Sequence, residues 1–126
     1  MNRWRALLLV YDKLDVRVRV GRWRRKRFIH QLAEEEMEQA KDSFRHFPPL
    51  VAELTNGRTA VEYAIIHVER PLTSLSVLGL GGYWPGPADT REELDRYAAS
   101  GVESVFVFWP QNDFAAGQSI PSGGWG

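Results

Sequence analysis

The chain has 126 residues, 44% of them hydrophobic and 25% charged, with five Trp, four Tyr and six Phe. That is one domain with enough bulky surface for a core, and it excludes disorder, collagen and coiled coil. The formal charge is zero and cysteine is absent, which argues against bulk polyanion binding and excludes disulfide scaffolds, thiolate nucleophiles and Cys-based zinc sites.

Arg5 to Tyr11 is a short continuous apolar run ending in charge, the pattern of a strand covered on both faces. The apolar part, Ala6 to Val10, is too short for a signal peptide's core of about seven to fifteen residues. No stretch approaches the roughly 18 residues of a spanning helix, so a cytoplasmic protein with no membrane contact is expected. Asp15 to Val20 alternates, Val16, Val18 and Val20 against Arg17 and Arg19, and Trp23 to Ile29 can return as the second strand of a basic hairpin turned at Gly21-Arg22. A two-residue turn there would oppose Val20 to Trp23 but leave Val18 facing Arg25, so the register stays open.

From about His30 the period lengthens. Ala33, Met37, Ala40, Phe44 and Phe47 share one helical stripe, with Glu34, Glu35, Glu36, Glu38, Lys41, Asp42 and Arg45 elsewhere. Pro48-Pro49 stops that helix, and Leu50, Val51 and Leu54 suggest a short second one, closed by Asn56-Gly57. Thr59 to Val68 reads as a strand, and residues 72–87, with four glycines and two prolines, as a long loop. Thr90 to Glu93 has the capping-box pattern ahead of a short helix that Gly101 closes. Ser104 to Trp109 is a third buried strand, and residues 110–126 form a loop-like tail in which Trp125 should be docked. The expected fold is a single α/β domain over residues 1–126. It has a largely parallel sheet of about three buried strands, flanking helices and an N-terminal basic β-hairpin.

Zero charge is only an average. Residues 1–27 carry ten basic residues and two acids, and the remainder six basic residues and fourteen acids. Arg17, Arg19, Arg22, Trp23, Arg24, Arg25, Lys26 and Arg27 form the basic patch. They are candidates for contact with a nucleic-acid backbone, or with acids of this chain or of a second copy. Equal and opposite halves favour the acids, and with them a homo-oligomer.

In a parallel sheet, ligands bind where the strands end. Tyr11 and Asp12, then His67, Glu69 and Arg70, then Trp109 and Asp113 stand at those ends, with Trp84 as a further aromatic wall. Such a set can hold a polar small molecule or a hard cation, although polar residues also mark any place where buried strands reach water.

The run Leu78 to Gly86 is not a dinucleotide loop, because Trp84 stands where a third glycine belongs and about ten residues separate the run from its strand. The three histidines fit no zinc pattern, and no nucleophile elbow is present, so neither a metal nor a cofactor is expected.

Glu69 to Leu75, Tyr83-Trp84-Pro85, Ser104 to Trp109 and the tail Ile120 to Gly126 together resemble the N-terminal part of an uncharacterised group of bacterial proteins. No activity is established for the group, so the resemblance carries over no catalytic residue. It implies a shortened relative lacking whatever chemistry lies farther along. The residues themselves lead to a non-catalytic domain that binds a small molecule or another protein and self-associates. The alternative is a small hydrolase-like or carbohydrate-active protein using Asp12, Glu69 and Asp113 between Trp84 and Trp109. Nucleic-acid binding by the arginine patch is the third reading.

Overall fold

The computed structural model describes residues 2–20, 24–78, 82–98, 101–113 and 118–120, less the side chains of 78, 113, 118 and 119. In chain order these form β1 (Asn2–Tyr11), β2 (Lys13–Arg19), β3 (Arg25–Gln31), α1 (Glu34–Arg45), α2 (Phe47–Leu54) and β4 (Thr59–Val68). Then come β5 (Ser76–Leu78), β6 (Gly82–Trp84), α3 (Arg91–Tyr97), β7 (Ser104–Phe108), β8 (Asn112–Asp113) and β9 (Gln118–Ser119).

β1 is the middle of a three-stranded parallel sheet of order β4-β1-β7, with Leu8 level with Ile65 and Phe106. Its run from Ala6 to Tyr11 is buried throughout, as an apolar stretch with a neighbour on each side should be. The other two strands are less covered than their sequences suggest. Tyr63 on β4 and Phe106 on β7 are each 41% exposed, because each strand flanks β1 on only one side.

Side chains alternate between the two faces of this sheet. The face carrying Leu8, Ile65 and Phe106 receives α1 and α2. The Phe44 ring lies 5.6 Å from Tyr63 and 5.5 Å from Phe106, and Phe47 lies 5.9 Å from Phe106. The helix breaks at His46, and Pro48 falls in the first turn of α2, where a missing N–H costs nothing. The opposite face carries Leu7, Leu9 and Tyr11, which join Leu14, Val16, Val18, Phe28, Leu72, Trp109 and Ile120 in the main core. Helix α3 serves that face, since its Glu93 accepts a hydrogen bond from the Tyr11 hydroxyl and Ala98, just past its end, packs on the same core. The two helical crossovers therefore lie on opposite faces, as right-handed connections require when one runs from β1 to β4 and the next returns from β4 past β1 to β7.

β2 and β3 pair antiparallel with Val16 opposite Phe28 and Val18 opposite Lys26. The expected two-residue turn would slip this register by one, setting Val16 against Arg27. Burying Leu14, Val16 and Phe28 on one face selects the other pairing, with β3 beginning at Arg25. Gly21, Arg22 and Trp23, where the turn was expected, lie outside the described residues.

The expected loop over residues 72–87 contains the β5–β6 pair, with Val77 opposite Tyr83. Asp89 staples it, accepting from Ser74 Oγ and Ser76 Oγ at 2.6 Å and from the Gly86 N–H at 2.8 Å. A Cβ on Gly86 would fall 2.8 Å from Ser76 Oγ, so this close approach needs glycine. The expected capping box of α3 does not form: Thr90 Oγ1 donates to the Gly86 carbonyl, and Glu93 is engaged elsewhere. β8 and β9 pair briefly within the expected tail and Ile120 is buried, whereas Trp125 lies outside the described residues. Among the described residues, no helix is long and apolar enough to cross a membrane.

Candidate functional site at the strand ends

Because β4, β1 and β7 run parallel, the residues that follow them meet at one edge of the sheet. The segments that follow β1 and β7 both fold over the face carrying Leu7 and Leu9, since Leu14, Val16, Trp109 and Ile120 all join the main core, and a crevice is left where the chain passes on to α1 beside the end of β7. A cavity of about 410 Å³ occupies this place, lined by Leu32 and Glu36 at the start of α1 and by Phe108, Trp109, Gln111 and Asn112 after β7. A second cavity of about 280 Å³ lies between the end of β4 and α3, lined by His67, Glu69, Arg70, Glu92, Arg96 and Tyr97.

Asp12 stands between them. Its carbonyl accepts the Leu32 N–H at 2.8 Å, and its carboxylate Oδ1 lies 3.2 Å from His67 Nε2. Val10 and His67 are level in the β1–β4 register, which places His67 on the face that α1 covers and explains the meeting. The Asp12 side chain is 13% exposed and that of His67 42%, so a buried carboxylate backs an imidazole open to water. Among the described residues no donor gives Asp12 Oδ1 a well-aligned hydrogen bond.

Beneath the second cavity the polar groups satisfy one another. Arg70 forks onto Glu93, Nε to Oε2 at 2.8 Å and Nη2 to Oε1 at 2.5 Å, and also reaches Glu92 Oε2 at 3.1 Å and the Asp89 carbonyl at 3.1 Å. The Tyr11 hydroxyl donates to Glu93 from the core side. Burial pushes the Glu93 carboxyl up, but the hydrogen bonds from Arg70 and Tyr11 outweigh it and hold the group below the usual carboxylate range. Burial, then the Glu93 hydrogen bond, drives the Tyr11 phenol well above its ordinary value. The hydrogen bond to Glu93 likewise raises Arg70. A network this closed is structural.

Of the residues singled out from the sequence, Asp12 and His67 are brought together, and Glu69 and Arg70 line the second cavity. Tyr11 is wholly buried beneath it, and Trp109, 7% exposed, lines the first cavity from the core. Trp84 is not brought to the crevice, because β6 pairs with β5 and lines neither cavity. The Asp113 side chain lies outside the described residues. Sequence reasoning missed Glu36 and Glu93. Glu36 looks like part of a solvated acidic run, yet it accepts the Ala33 N–H at 3.2 Å and lines the first cavity.

The basic patch divides. Arg17, Arg19, Arg25 and Arg27 project from the outer face of the β2–β3 pair, and Arg24 is exposed where the Val20 N–H meets its carbonyl. Lys26 is on the inner side, its Nζ 5.0 Å from the Phe28 ring centroid. Arg22 and Trp23 lie outside the described residues. Among the described residues no α1 carboxylate pairs with an arginine of β2 or β3: Glu38 meets Lys41 at 3.4 Å and Asp42 meets Arg45 at 2.6 Å. The expected neutralisation of the patch by this chain's own acidic helix is therefore not observed, because the sheet stands between them.

Comparison with protein-family models, curated proteins and solved structures finds no match. Among the described residues no group of three or more His, Asp or Glu is placed to hold a metal ion.

Proposed function

We propose that the protein is a non-catalytic binding domain whose strand-end crevice takes a polar small molecule. The cavity of about 410 Å³ between the start of α1 and the end of β7 carries this reading. Among the described residues Glu36 is the charged side chain lining this cavity, and in the neighbouring cavity Glu69 and Glu92 face Arg96 and His67, with Arg70 already engaged by Glu93. Such a balance favours a neutral polyol or an ammonium group over a phosphate. Among the described residues neither cavity is lined by a serine or threonine, and Glu93 is closed off by the fold's own donors. A second reading, acid–base chemistry on a bound polyol, is favoured by the open imidazole of His67 backed by Asp12.

Thermal unfolding in the presence of monosaccharides, polyols, spermidine and inorganic phosphate tests the site. A ligand at a hundred times its Kd should stabilise the fold by about 2.7 kcal/mol. Glu36→Gln should weaken that effect while leaving the unliganded Tm nearly unchanged. If no neutral or cationic compound raises Tm, or phosphate does so best, the reading fails. Turnover abolished by His67→Gln would select the second reading.

A further inference from the structure

We propose that the outer face of the β2–β3 pair is a docking surface for the phosphate backbone of a nucleic acid. This inference is independent of the crevice. The inner side chains of the pair, Leu14, Val16, Val18 and Phe28, are buried and account for its folding. The outer positions are another matter: Arg17 stands directly opposite Arg27, and Arg19 directly opposite Arg25. Like charges opposed across a strand pair destabilise it, so packing does not explain four arginines in two such rungs.

The acid among them is Asp15, and Arg27 forks onto it, Nε to Oδ1 at 2.8 Å and Nη2 to Oδ2 at 2.7 Å. Among the described residues Arg19, Arg24 and Arg25 pair with no carboxylate. Alternate positions along a strand are about 6.8 Å apart, and neighbouring strands about 4.8 Å apart. The arginine positions thus form a regular grid on a two-stranded ribbon, the kind of element that follows a backbone or enters a major groove. Each offers a planar fork of donors that matches phosphate oxygens and sheds its hydration more easily than an ammonium.

A second copy of the chain is the rival occupant, through the carboxylates of α1. Two of those, Glu38 and Asp42, are already held by Lys41 and Arg45 on their own helix, which leaves a thinner row of negative charge than a phosphate backbone presents. The grid therefore favours the backbone.

The test is fluorescence anisotropy with labelled single-stranded and duplex oligonucleotides at about 50 and 200 mM salt, with light scattering in the same buffers. Engagement of about four phosphates predicts a 50- to 150-fold loss of affinity between the two salts. Arg19→Ser with Arg25→Ser should lower affinity at the lower salt by about tenfold or more and flatten the salt slope by about 1.5, whereas Arg91→Ser on α3 should change neither. Circular dichroism checks that the double variant keeps its fold, and the salt titration of the unaltered chain stands without it. Absence of binding at both salts overturns the proposal. So does equal binding by a folded double variant, or a doubled mass that the same substitutions abolish, which would assign the face to a second copy.

Discussion

Glu93 occupies the third residue of a helix whose first turn also holds Arg91 and Glu92, and in sequence it looks like a cap. In the fold it closes the gap between α3 and the sheet by taking the Arg70 fork and the Tyr11 hydroxyl together. Glu93 titrates lower in the fold than its ordinary 4.5, so its contribution is present in full above that pH and is lost as the pH falls towards the depressed value. Tyr11 titrates higher than its ordinary 10.0, so its contribution is present below pH 10 and is lost as the pH climbs beyond it. Urea unfolding across pH should therefore show a plateau between these limits with a decline at each end. Tyr11→Phe should lower the plateau by about 1–3 kcal/mol and remove most of the alkaline decline. The importance of Glu93 was not legible in advance, because its partners are 23 and 82 positions away in the chain.

At the level of elements, continuous apolar runs are legible and short or register-dependent pieces are not. β1, β4 and β7 stand where their sequences place them. β5 and β6 escape notice because three residues are too few to show a period. Burial follows position in the sheet: Leu9, fully buried at the centre of β1, should cost about 2–5 kcal/mol when changed to Ala. Leu54 at the end of α2 is 74% exposed, and its change to Ala should stay within about 0.5 kcal/mol; urea midpoints measure both. The β2–β3 pair makes a different prediction. Arg25→Glu would set an acid opposite Arg19, turning a repulsive rung into an attractive one, and should stabilise the fold by about 0.5 kcal/mol. The same substitution should weaken oligonucleotide binding. Stability and binding moving in opposite directions would show that the arginines are kept at a cost to the fold.

At the level of the molecule, a chain with no net charge separates its charges in space, guanidiniums on the outside of β2–β3 and carboxylates on α1 across the sheet. Local pattern alone supports the α/β class, three parallel strands, the helical stripe through Phe44 and Phe47, and the gathering of Asp12, His67 and Arg70 at one edge. Those conclusions need only alternation, apolar runs and the fact that parallel strands end together. Pairing between distant segments settles the rest. Whether Val16 meets Phe28 or Arg27, which face of the sheet each helix covers, and whether the arginines reach the acidic helix all depend on contacts absent from any short window. Glu36, an ordinary helix-start acid by its neighbours, lines a cavity because β7 passes beside it. Register and crossover direction are properties of the assembled sheet, and they determine which charges stay open to a partner.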